Sequence, residues 1–537
     1  MKKVLFVLFL ISTSVCLSQT TVKKDGSGNF TTITAAVNAA SNGETIIVYP
    51  GTYNESVDFV GKNIVVGSLY LNSSDNSDIS STIIDGTGLS TQGVLFENGE
   101  SSSARLVGFT IKNFDLKASD SNIRGGGIKI TDSSPTLENL IITNNTAEWG
   151  GGIYISNSNI STTSIALKNL VITKNTADWG GGISAYRTTA VLENILISEN
   201  SGNTGGGVQW WGSSSSSDTQ TLTNVTITNN TSSTSSSEYY GGGGVHFRHP
   251  VNMNIKNSII WNNTSPQIKM HNDDDLAMTV GVSYSDVQGG LSSVFQDEDI
   301  NTVTWSNNFD ANPEFVDPEN SDYKLKDISI AIGSGTSTGA PSTDILGNTR
   351  PNPEGTNPDM GAYENELGFN TPPNVELSLS SNNLLEYEEE IVTVTATLAY
   401  VSSQNVVITL ATTGTATGGG TDYSLSSNTI EIPAGQTTSS ITVAAVADEI
   451  SDDGETIILD ISSITNASEA IDQQKTITIL EDVCANSGNS TLTGTISTNK
   501  KLYKTCSPYN LTGNVLVANG VTLTIEAGVV INFSDDF

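Results

Sequence analysis

The stretch Leu137-Glu138-Asn139-Leu140-Ile141-Ile142-Thr143-Asn144-Asn145 decides the fold, because it does not occur only once. It returns at Leu167 to Asn175, Leu192 to Asn200, Leu222 to Asn230 and Ile255 to Asn263, and a weaker copy begins at Leu106. The full copies start 25 to 33 residues apart. A Gly-rich step follows the first four: Gly150-Gly151-Gly152, Gly180-Gly181-Gly182, Gly205-Gly206-Gly207 and Gly241 to Gly244. Gly125-Gly126-Gly127 opens the series. Self-similarity at this period marks a repeat architecture. A short apolar strand, a turn with Asn, a Gly bend and a second short strand make one coil of a solenoid, and the next coil pairs with it edge to edge. Ile142, Ile172, Ile197, Ile227 and Ile260 share a register and are expected to stack inside. Asn139, Asn169, Asn194, Asn224 and Asn257 share another, where side-chain amides can hydrogen-bond along the axis as a structural ladder. The frequent Asn-x-Ser/Thr triplets follow from that ladder and are not read as glycosylation sites.

At 537 residues the chain exceeds one compact core, so several domains or an elongated repeat are expected. Abundant Gly and few charged residues suit short strands and tight turns rather than helices. Met1-Lys2-Lys3, the apolar run Val4 to Ile11 and the small-residue stretch to Ser18 have the layout of a secretory signal peptide, residues 1–18. Thr13-Ser14-Val15 suits simple cleavage better than lipid attachment at Cys16. No other segment approaches the ~20 apolar residues of a membrane span. Beyond the leader only Cys484 and Cys506 remain, which in an oxidising compartment reads as a disulfide, with two free thiols as the alternative. A net charge of −34 disfavours nucleic acid and anionic membranes and attracts cations. The location expected is secreted or cell-surface, and the chain is expected to be monomeric in this region.

After the linker 367–373 the pattern changes to period-two alternation, as in Ile391-Val392-Thr393-Val394-Thr395-Ala396-Thr397-Leu398, the signature of an antiparallel sandwich over 374–483. Residues 484–537 start again with a solenoid pattern, Thr522-Leu523-Thr524-Ile525-Glu526-Ala527-Gly528-Val529-Val530-Ile531, that stops mid-pattern, so a longer protein is expected.

The repeats resemble the pectate-lyase-like superfamily, which implies a right-handed parallel β-helix over 19–366 and an all-β chain. Asp25-Gly26-Ser27-Gly28-Asn29-Phe30-Thr31-Thr32-Ile33, Ala35-Ala36-Val37 and Pro50-Gly51-Thr52-Tyr53-Asn54-Glu55 resemble the opening of pectin methylesterases, where a short helix caps the first coil. Asn312-Pro313-Glu314-Phe315-Val316-Asp317, Asp344-Ile345-Leu346-Gly347-Asn348 with Arg350-Pro351, and Asp359-Met360-Gly361-Ala362-Tyr363-Glu364 look like the closing segment of secreted bacterial β-helix proteins. Gly420-Thr421-Asp422-Tyr423, Ile432-Pro433-Ala434-Gly435-Gln436, Ile441-Thr442-Val443, Asp448 and Asp452-Asp453-Gly454-Glu455-Thr456 resemble a Calx-β domain. That resemblance implies calcium, held through Glu386, Asp422, Asp448, Asp452 and Asp482 in acidic loops that supply hard oxygen ligands. Two features depart from the family: its acidic run is here Ala447-Asp448-Glu449, and its closing cluster is only Glu481-Asp482.

Aligning the strands after each Gly step gives two columns expected to face outward. One holds Lys129, Tyr154, Ser184, Gln209 and His246; the other holds Thr131, Ser156, Tyr186, Trp211 and Arg248. Trp149, Trp179 and Tyr240 precede successive Gly steps and border the same face. Coils repeat every ~4.8 Å, close to one sugar unit, so Lys129, Tyr154, Tyr186, Gln209, Trp211, Trp149 and Trp179 suit a glycan chain, with a solvated sheet face as the plain alternative. His246 and Arg248, with His249, Lys129 and Arg187 nearby, could serve a polysaccharide lyase, Arg248 binding a uronate carboxylate and His246 taking the α-proton. A capping cluster explains the same residues. The Gln-Asp and Asp-Phe strand motifs of pectin methylesterases are missing from the central coils, no His/Cys cluster has zinc spacing, and Asp273-Asp274-Asp275 reads as a solvated turn. The expected function is an extracellular protein with a glycan-binding or adhesive β-helix and a calcium-binding module; a lyase on an acidic glycan and a structural stalk are the alternatives.

Overall fold

The computed structural model describes residues 19–116, 123–157, 165–212, 219–233, 241–271, 277–296, 301–386, 391–446, 454–469, 471, 473–480, 490–497, 499–504 and 506–533. The expected leader, residues 1–18, lies outside them. The chain divides into two compact units at residue 370.

The first unit is a parallel β-helix. The repeated strands Thr136–Thr143, Ile165–Thr173, Ala190–Ser198 and Thr219–Thr228 pair in parallel and in register, Leu137 with Leu167, Leu192 and Leu222, and Ile142 with Ile172, Ile197 and Ile227. A second parallel sheet runs on the opposite wall of each coil through Ile128–Thr131, Ile153–Ser156, Ile183–Tyr186, Val208–Trp211, Val245–Arg248 and Ile268–His271. Ile142, Ile172, Ile197, Ile227 and Ile260 are all fully buried between the walls, so the apolar stack expected from the repeat is the core.

Asparagine serves this fold in two ways. At Asn139, Asn169, Asn194, Asn224 and Asn257 the backbone turns with φ near +50°, a region where Asn is tolerated better than most residues. Their amides link coil to coil: Asn169 donates to Asn139 at 3.1 Å, Asn194 to Asn169 at 3.0 Å and Asn257 to Asn224 at 3.3 Å. The expected ladder is interrupted between Asn194 and Asn224, because Arg350 donates to Asn194 Oδ1 at 3.2 Å instead. A second, fully internal ladder runs through Asn145, Asn175, Asn200, Asn230 and Asn263. Each of the first four also takes its neighbour's Oδ1 on its backbone N–H.

The Gly step is steric. A Cβ on Gly151 would stand 2.4 Å from the Thr176 carbonyl oxygen, and Gly150 adopts φ +62°. No side chain fits where one coil's corner lies on the next.

Both ends of this unit carry added structure. The helix Ile33–Ala39 buries Ile33, Ala36 and Val37 against the first coil. Its N-terminal N–H groups at Ile33 and Thr34 donate to the Glu55 carboxylate at 2.9 and 2.8 Å, and Lys62 Nζ donates to the Val37 and Asn38 carbonyls at its other end. Both charges complement the helix dipole. Residues 312–367 form a strap over the Asn-turn side of the later coils. Phe315, Tyr323, Leu325, Ile332, Ile345 and Met360 make a second apolar cluster with Leu196 and Ile259 there. The strap encloses an Arg350–Glu364 ion pair at 2.8 Å with both side chains fully buried.

The second unit holds a sandwich of two five-stranded sheets, antiparallel but for one parallel pair in each, with Val375, Leu377, Val392, Val394, Ile408, Ile430, Val443, Ile457 and Ile477 in its core. From Ser490 the pairing becomes parallel again: Ser490–Ile496 with Tyr509–Val517 and then Ile531–Phe533, and Lys500–Leu502 with Leu523–Ile525. This is the start of another solenoid, as its sequence pattern predicts. Cys506 is buried and disulfide-bonded; Cys484, its expected partner, lies outside the described residues.

Candidate functional site

The two columns are in register as aligned. Lys129, Tyr154, Ser184, Gln209 and His246 pair successively across the coils, and Thr131, Ser156, Tyr186, Trp211 and Arg248 do likewise. One more coil extends both: Lys269 follows His246, and His271 follows Arg248. All three histidines of the chain therefore occupy this face. Lys269 and His271 escape a reading keyed to Gly steps, because Ile268–His271 has none before it; Asn263-Thr264, matching Asn230-Thr231, is the signal that marks that coil.

The first column does not face solvent as expected. Tyr154, Ser184, Gln209, His246 and Lys269 are buried, at 0 to 3% exposure, and only Lys129 keeps partial access, paired with Glu97. The physical reason is an aromatic layer. Trp149 and Trp179, from the corners on one side of the column, stack at 5.0 Å, and Trp149 comes within 6.3 Å of Trp211, two residues past the column. The Arg248 guanidinium lies 4.3 Å above the Trp211 ring and 5.7 Å from that of Trp179. Rings from both flanks thus meet across the column.

The layer itself is half-buried and continuous. Tyr186 packs on Trp211 at 5.7 Å, His249 stacks on Trp211 at 4.6 Å, and Arg187 lies over Tyr186. Such contacts contribute about 0.5–1.5 kcal/mol each beyond area burial. Beneath it, Ser184 Oγ donates to Gln209 Oε1 at 2.9 Å, and Arg124 donates to the Tyr154 hydroxyl at 3.0 Å. Burial raises the Tyr154 phenol, with Arg124 opposing that shift. His246 and His271 have ring centroids 6.3 Å apart.

A general base must reach the proton it removes. His246, fully buried, does not meet that condition in this conformation, whereas Arg248, Trp211, Trp179, Trp149 and Tyr186 all retain accessible surface.

Of the residues matched to calcium ligands, Glu386 and Asp422 are buried. Asp422 Oδ2 accepts the Thr417 N–H at 2.5 Å and holds the turn before Tyr423. Asp448, Asp452 and Asp482 lie outside the described residues, as do Tyr240 and Asp273 to Asp275. Among the described residues no group of three His, Cys, Asp or Glu is disposed to hold a metal, and no helix is long and apolar enough to cross a membrane.

No family model matches the chain, and no curated protein does. Among solved structures, pectin methylesterase from carrot is 14% identical, covering 54% of this chain and 82% of that one with a TM-score of 0.28. The apo-form Calx CBD1 domain is 14% identical over 20% of this chain and 97% of its own, TM-score 0.17. A Bacteroides ovatus protein of unknown function is 16% identical over 20% of this chain and 52% of its own, TM-score 0.16. The fold is established by the strand registers: a parallel β-helix followed by an antiparallel sandwich and the first turns of a further solenoid.

Proposed function

We propose that the β-helix is an extracellular glycan-binding surface, and that the sandwich is a Calx-β module that takes up calcium. The observation that carries the first part is the continuous layer of Trp149, Trp179, Trp211, Tyr186 and Arg248 on one wall. Aromatic faces pack on sugar C–H surfaces, and coils spaced ~4.8 Å apart repeat those contacts at a spacing close to one sugar unit. The second part is supported by the succession of Calx-β-like segments and by two buried carboxylates at matched positions, Glu386 and Asp422.

The test is retention of the purified full chain on a panel of neutral and acidic polysaccharides, with and without calcium. Trp211→Ala is expected to lower retention by about tenfold or more while leaving the melting temperature within a few degrees, because its ring is half-exposed. Absence of retention on every polysaccharide overturns the glycan reading. Growth of unsaturated-product absorbance replaces a binding surface with a lyase. A melting temperature indifferent to millimolar calcium removes the calcium assignment.

A further inference from the structure

Trp149 Nε1, Thr204 Oγ1 and Gln209 Nε2 are buried polar atoms on the aromatic face without a hydrogen-bond partner. Thr204 and Gln209 flank the Gly corner of one coil, and Trp149 comes from an earlier coil. Thr204 pairs in register with Trp179, whose ring is stacked on that of Trp149. The corner after Thr204 is so tight that a Cβ on Gly205 would lie 2.8 Å from Gln209 Cβ. Trp149 in turn reaches within 6.3 Å of Trp211, which stands two residues beyond Gln209 on the strand Val208–Trp211.

All three atoms can donate. An indole N–H and an amide NH₂ only donate, and a hydroxyl rotates to suit. Gln209 Oε1 is already engaged by Ser184 Oγ, which aims the amide nitrogen away from that contact. A buried donor left unmet costs about 1–3 kcal/mol, so three on one face point to an acceptor that completes them. One water supplies two acceptor lone pairs, fewer than the trio demands. A carboxylate presents two oxygens; a sulfate ester presents three and carries no proton at any ordinary pH. The donors are uncharged, which suits an anion that needs no proton-matched partner, and the Arg248 guanidinium over Trp179 and Trp211 supplies nearby positive charge.

We propose that Trp149, Thr204 and Gln209 form a pocket for a sulfate ester on a sugar, which makes the ligand of this face a sulfated polysaccharide. The proposal rests on the glycan-binding reading above. Because the three atoms are closed to solvent, the Trp149 ring lifts from Trp179 to admit the group, and binding changes tryptophan emission. The chain's net charge of −34 repels polyanions at long range, so any preference for the sulfated form must come from local contacts.

The test titrates the full chain with a sulfated galactan oligomer, its desulfated form and a galacturonate oligomer of equal length, read by calorimetry and tryptophan emission. The sulfated form is expected to bind at least tenfold tighter than the other two. Gln209→Leu and Trp149→Phe, which change no charge, are each expected to weaken it ten- to a hundredfold and so to remove most of its advantage over the desulfated form. Gln209→Leu exchanges its unmet amide donor for a Ser184 hydroxyl left without its acceptor, and is expected to melt within a few degrees of the parent protein. Equal affinity for sulfated and desulfated forms, tighter binding of galacturonate, or indifference of the sulfated form to both variants overturns the sulfate pocket alone. Failure of all three oligomers to bind the parent protein brings down the glycan reading with it.

Discussion

At the residue scale, the side chains that hold each coil are amides rather than apolar groups alone. Asn200 accepts the Asn175 N–H at 3.0 Å and donates to the Ile172 carbonyl at 2.9 Å and to Asn230 Oδ1 at 2.9 Å, all fully buried. Asn200→Ala strands a backbone donor and a backbone acceptor at once, so a loss of about 3 kcal/mol is expected from denaturant midpoints. Asn169, half-exposed at a φ of +55°, is a contrasting site. Asn169→Gly keeps the left-handed turn and is expected to cost less than about 1 kcal/mol. Asp286 is the other telling residue. Burial lifts its carboxyl from 3.8 to about 8, with the nearby Asp310 adding to the rise and the Ala311 N–H opposing it. A folded value above the unfolded one means that its stabilisation is full below about pH 4 and is lost as pH rises towards 8. Asp286→Asn is expected to flatten that slope, measured as melting temperature against pH.

At the scale of elements, the repeat period told where strands begin and which side chains point inward, because one face of each coil must close on apolar residues whatever the rest of the chain does. Ile142 through Ile260 and the two columns were legible for that reason. The burial of Gln209 and His246 was not. The aromatic layer on this face joins Trp149 and Trp179, before the Gly corners of other coils, to Trp211 and Arg248, and alternation along one strand carries no information about rings supplied from elsewhere. The strap was legible only as a series of short motifs, and its charges explain why. Arg350 contacts Asn194 and Glu364, while Asp344 and Asp359 lie near enough to act on it electrostatically. Arg350→Met leaves these carboxylates without their buried counter-charge. A loss of about 3–5 kcal/mol is expected, with faster proteolysis within 312–367 as its first sign.

At the scale of the whole molecule, two opposed electrostatic effects act on any anionic glycan. The chain is strongly acidic overall, while Arg124, Lys129, Arg187, Arg248 and Lys269 gather on one wall. Moderate salt screens the long-range repulsion before it weakens partly buried contacts. Association of the sulfated oligomer is therefore expected to quicken between about 10 and 100 mM salt, whereas a polyanion drawn in by a basic protein slows; stopped-flow tryptophan emission measures this.

The strap also bears on how the molecule carries load. Hydrogen bonds between coils run along the long axis of the β-helix, so tension along that axis would meet them one junction at a time, as in a zip. The strap is fastened at Asn194 through the Thr343 carbonyl, at Asn224 through that of Asp359 and at Asn257 through Thr336. Three consecutive coils are thereby tied to one strip of chain, so their junctions share force in parallel. Under a pull the coils tied by the strap act together as one rigid anchor.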